Sequence, residues 1–147
     1  MTIEINHLAA YLPYRLHFKT THSKYQGIYV LQEMNQFGGV SIKDSSLPIS
    51  RIRPILRPLT DLENITQEDG TCINVLLNIY ATQIMDREVI SKLLHAARVG
   101  WINSDEIPYG VIKILCSWHF DIFNLLRNNL AISIRDVDFY SLNNAEQ

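Results

Sequence analysis

At 147 residues, with 47% hydrophobic and 19% charged side chains, the chain has the length and balance of one globular domain rather than of a disordered segment. Its net charge of -2 gives no global reason to expect nucleic acid and leaves only local basic patches to consider. The two cysteines, Cys72 and Cys116, each lie in an apolar run, which suits buried thiols in a reducing compartment and not a disulfide framework.

These figures predict a single domain over residues 1–147, with only the polar tail Asn143–Gln147 outside its core. No run approaches the roughly 20 apolar residues that cross a bilayer. Acidic Glu4, with Asn6, His7 and Pro13 interrupting the apolar residues, breaks the pattern of a signal peptide. The expectation is a cytoplasmic protein with no membrane partner.

Near the start, Asn6 is placed to cap a short helix through Leu12, which Pro13 ends. Arg15 to Lys19 alternates strictly, with Leu16 and Phe18 facing inward. Ile28 to Leu31 is β-branched and aromatic, as strands prefer. Gly38-Gly39 marks a turn, Val40-Ser41-Ile42 a further strand, and Asp44-Ser45-Ser46 a bend toward Ile49–Leu56. Residues 15 to 56 therefore read as a small antiparallel β-meander.

Helices dominate afterwards. Thr60 to Glu63 has capping-box spacing and opens a short helix that Asp69-Gly70 ends. Residues 72 to 85 fit either a strand or a helix. Val89, Ile90, Leu93, Leu94 and Ala97 recur at helical spacing, and Gly100 is placed to terminate that helix. From Pro108 the apolar side chains cover an arc of about 200° when projected at about 100° per residue. This predicts one long buried helix over residues 108–128, ended by Asn128-Asn129, with a final strand at 131–134. The fold class expected is α+β, the meander packing on the C-terminal helices.

Three sites carry the functional expectations. His119 falls inside the apolar arc of the long helix with Cys116 three residues earlier. It is either a core histidine or the centre of an enzyme site with Cys116; one Cys and one His make no zinc site. Arg51, Arg53 and Arg57, if extended, share one face at spacings of about 7–13 Å. Three guanidinium groups so placed suit an acidic partner or a phosphate run. The prolines beside them suggest an edge strand. The other reading is a charged edge that repels stray strands, its arginines pairing with Asp61, Glu63 or Asp44. Phe120 projects into the polar wedge, so it is either covered by another element or an anchor for a second chain. His95, near the end of its helix, is accounted for by the helix dipole. No spacing suggests a phosphate loop, a nucleophile elbow, a metal or a cofactor.

Three blocks carry a resemblance: His7 to Tyr14, Arg53 to Leu62, and Trp118 to Phe123 with Leu130-Ala131-Ile132. In these the chain resembles a group of small uncharacterised proteins of Bacteroidetes bacteria, often encoded in prophage-like or mobile-element surroundings. The resemblance implies a context and no catalytic residue. The expectation is a non-enzymatic interaction or accessory protein of phage or mobile-element type, contacting a protein partner or itself through Arg51, Arg53, Arg57 and Phe120. The alternatives are a nucleic-acid-binding module using the same arginines, and an enzyme built around His119 and Cys116.

Overall fold

The computed structural model describes residues 2–22, 24–35, 38–42, 45–67, 69–83, 85–137 and 142. The expected tail Asn143–Gln147, and Asp44, lie outside the described residues. In chain order the elements are α1 (Ile5–Ala9), β1 (His17–Thr20), β2 (Ile28–Val30), β3 (Gly39–Ile42), β4 (Ser45–Pro48), β5 (Ile52–Leu56), β6 (Ile65–Thr66), β7 (Cys72–Ile73), α2 (Val75–Thr82), α3 (Arg87–Val99), α4 (Tyr109–Ser117) and β8 (Ile132–Ser133). The fold is α+β. The chain forms two compact units, Met1–Leu56 with Leu125–Gln147, and Arg57–Asn124.

The first unit is built on a four-stranded sheet in the order β2-β1-β5-β8. Leu16 and Phe18 are buried, as their alternation predicts. Phe18 sits opposite Tyr29 in the register, and the two rings stack with centroids 5.7 Å apart. A cross-strand aromatic pair of this kind contributes up to about 1 kcal/mol beyond alanine. Glu4, and not Asn6, caps α1. Its backbone N–H donates to Nδ1 of His7 at 3.0 Å, tying the cap to the first turn.

Strands β1 to β5 pair antiparallel but do not run as a sequential meander. β3 and β4 form a hairpin of their own, and Ser45 and Ser46, expected in a bend, are paired residues of β4. β5 passes them to pair with β1, which makes it an interior strand and not an edge. The ladder explains how it tolerates Pro54. Thr21 N–H donates to the Arg51 carbonyl at 2.9 Å. By the alternation of an antiparallel ladder, Arg53 then turns both backbone groups toward Lys19 on β1, and Pro54 turns its missing donor away. On the other side, the parallel pairing to β8 begins only at Ile55. The final strand expected near 131–134 is this β8.

In the second unit, α2 begins where Asn74 Oδ1 accepts from the Leu77 N–H at 3.1 Å. The Leu62 carbonyl takes the Val75 N–H at 2.9 Å. Both satisfy donors that a helix start leaves open. Residues 72 to 85 therefore contain both expected structures, a short strand and then a helix. Asp86 Oδ1 caps α3 through the Val89 N–H at 2.9 Å. Gly100 ends it at φ +84°, its N–H donating to Ala96 at 2.8 Å. The helix expected from Thr60 is only a 3₁₀ turn, Leu59–Asp61, against which α3 packs. Asp69-Gly70 turns the β6–β7 hairpin instead of ending a helix.

The long helix over 108–128 does not form. α4 ends at Ser117, and His119 adopts a left-handed φ of +62°. The His119 N–H donates to Cys116 at 2.9 Å and the Phe120 N–H to Leu115 at 3.0 Å. That pair of bonds is the Schellman stop, with histidine where glycine is usual. Asn124 and Asn129 are also left-handed, at φ +58° and +57°. Asn129 closes a turn in which the Leu130 N–H donates to Leu125 at 2.9 Å. Asn129 takes a left-handed conformation, as expected of it, but it closes a turn of chain and ends no helix. The broad apolar arc came from separate pieces, each burying its own side chains.

Candidate functional site

The residues expected to form an arginine row do not share one extended face. Arg51 ends a 3₁₀ turn, Ile49–Arg51, and is exposed. Arg53 lies on the interior strand β5, and its guanidinium donates to the Ile52 carbonyl at 3.2 Å. Arg57 belongs to the second unit. Its Nε donates to the Trp118 carbonyl at 3.0 Å, and burial pulls its pKa below the usual guanidinium value. Two of the three arginines are thus turned onto backbone carbonyls.

Phe120 is fully buried, at 0% exposure, so it is no exposed anchor on this chain. Its backbone makes a parallel bridge with Arg57, which donates to the His119 carbonyl at 2.7 Å and accepts from the Asp121 N–H at 3.0 Å. An extended bridge cannot lie in a helix, which is why projection on a helical wheel misplaced this side chain. His119 is half-exposed rather than enclosed by the core. Cys116 is buried, and desolvation pushes its thiol up to about 12. A thiol held so far from ionisation is a poor nucleophile at neutral pH. Among the described residues no three His, Cys, Asp or Glu side chains are grouped to hold a metal. No described helix is long and apolar enough to cross a membrane.

The structure shows a different surface, centred on α3. This helix buries Val89, Leu93 and Ala96. Ile90 and Ala97 are only half-buried, and Leu94 is 38% exposed, although all three share the helical spacing expected of a core stripe. The reason is angular. At about 100° per residue, Leu94 stands well over 90° from the centre of the buried stripe, beside Arg87 and Arg98.

A groove of about 330 Å³ runs along this outward face, lined by Arg87, Ile90, Ser91, Leu94, His95 and Arg98. A second cavity of about 290 Å³, lined partly by Thr60 and Glu63, shares Leu94 and Arg98 with it. A third, of about 150 Å³, shares His95 and is lined also by Lys92, Trp101, Ile102, Asn103 and Glu106. His95 meets Trp101 edge to face, with ring centroids 5.8 Å apart, and Trp101 is 41% exposed. The loop carrying Trp101 is held by Asn124, whose side-chain amide accepts from the Ile102 N–H at 3.2 Å and donates to the Ile102 carbonyl at 3.1 Å.

Charge is unevenly spread around α3. On its flank Lys92 Nζ bridges Glu88 at 3.0 Å and Glu106 at 3.1 Å. These contacts raise the Lys92 pKa, Glu88 most and Glu106 next. Among the described residues the outward groove has no acidic lining. Sequence reasoning missed this surface because an apolar residue at helical spacing is normally counted toward the core. The available signal was the placement of Leu94 beside Arg87 and Arg98 on the wheel, within about 40° of both.

No family model matches the chain, and no curated protein or solved structure matches it either.

Proposed function

We propose that this is a non-enzymatic interaction protein that docks a protein partner on the outward face of α3 and on Trp101, in keeping with the accessory, mobile-element role implied by its resemblance to the Bacteroidetes group. A cytoplasmic setting suits its two free thiols, Cys72 and Cys116. The observation that carries the reading is the exposure of Leu94 and Trp101, joined through His95 and flanked by three cavities. Exposed large apolar side chains grouped beside arginines mark contact surfaces more often than isolated ones do.

The test is capture from the native host with wild type and a Leu94→Ala/Trp101→Ala variant of matched thermal stability. The retained protein is then purified and titrated against both. The dissociation constant is expected to rise at least about tenfold in the variant, as loss of a central apolar anchor does. A partner that binds both forms equally, and instead releases Arg51→Ala/Arg53→Ala, overturns the assignment.

A further inference from the structure

We infer that the outward groove of α3 receives an acidic amphipathic helix of the partner protein. This rests on the docking role proposed above and adds the chemistry of the occupant. The lining positions, from Arg87 to Arg98, recur at helical spacing and so belong to one face of one helix. Among the described residues neither arginine has an ion-pair partner. They stand eleven positions apart, about 16 Å along the axis, or three turns of an apposed helix. Between them Ile90 and Leu94 form an apolar strip. A helix carrying its own apolar strip, with carboxylates at both ends, satisfies the strip and both guanidinium groups together. Paired arginine–carboxylate contacts at the two ends would set its register.

The same residues speak against other occupants. In a two-fold antiparallel pairing of α3 with a second copy, Arg87 of one protomer would meet Arg98 of the other, like charge against like. Nucleic acid finds only two arginines here, separated by apolar side chains on a chain of net charge -2. Arg87 also lies in the first turn of α3, where a cation opposes the helix dipole. A local cost kept at an exposed position is consistent with use in binding.

The experiment selects binders to the intact chain from a display library of random peptides about 16 residues long, a length of some four helical turns. The same selection is run on an Arg87→Glu/Arg98→Glu variant, with duplex DNA and single-stranded RNA oligonucleotides titrated in parallel. Enriched peptides are expected to carry apolar residues at helical spacing flanked by Asp or Glu. They should bind the variant at least about tenfold more weakly and lose affinity as salt rises. An enriched set without acidic bias, no enrichment at all, or oligonucleotide binding abolished by the two substitutions would each overturn the inference. Should the captured host partner depend on Leu94 and Trp101 but not on the two arginines, the acidic-helix inference falls and the docking reading stands.

Discussion

The side chain of Arg57 donates its Nε–H to the carbonyl of Trp118, 61 positions away, at 3.0 Å. That carbonyl belongs to the C-cap residue of α4, one of the acceptors that a helix end leaves without an internal partner. The backbone of Arg57 bridges Phe120 at the same place. One residue thus both caps the helix and holds the extended segment that follows it, which makes Arg57 a structural residue of its unit.

Arg57→Ala is expected to lower stability by about 1–2 kcal/mol, the cost of a charged hydrogen bond at a partly buried carbonyl. Arg51→Ala, at an exposed position, is expected to stay within about 0.5 kcal/mol of wild type. Urea denaturation of the two variants side by side checks this; equal effects would contradict it.

His119 tests the helix stop. Both His119→Asn and His119→Val remove the imidazole, so their difference reports the backbone. Asparagine tolerates a left-handed φ such as the +62° found here, and valine does not. The valine variant is expected to be less stable than the asparagine variant by about 1–2 kcal/mol. Thermal melts that superimpose would show that the left-handed turn is not held in solution.

The two thiols are expected to react at very different rates. Cys72 is exposed, whereas Cys116 is buried and its thiol is pushed up to about 12 by desolvation. A disulfide reagent at mildly alkaline pH should label one equivalent per chain rapidly and the second only with denaturant. Mass-spectrometric mapping of the fast site to Cys116 would refute the assignment.

His17 on β1 sets a pH dependence. Burial is the largest influence and lowers its pKa below 6.5; a backbone hydrogen bond with Leu142 raises it and nearby Arg15 lowers it. The unfolded chain therefore binds this proton more readily than the folded one. Its contribution to stability is full above pH 6.5 and is lost as the pH falls from there through the lower folded pKa. Wild type is expected to lose denaturation midpoint on acidification through this window more steeply than His17→Gln. Parallel pH profiles for the two proteins would sink this assignment.

Local rules reached the elements whose causes are local. The alternation around Leu16 and Phe18 places β1 with both side chains inward, because a strand's period of two depends only on its own residues. Gly100 ends α3, and Asn129 closes its turn, because each accepts a left-handed φ that most residues resist. The mixed helix-and-strand class follows from the same local patterns. Tertiary structure alone decided the rest. His119 is left-handed within a Schellman stop, beside a bridge between Arg57 and Phe120 that no spacing in the C-terminal segment encodes. Pro54 sits in an interior strand because the register turns its missing donor away from β1 and β8 starts beyond it. Leu94 faces outward because apolar periodicity counts which side chains favour burial, while the neighbours that arrive from elsewhere in the chain determine which side is covered.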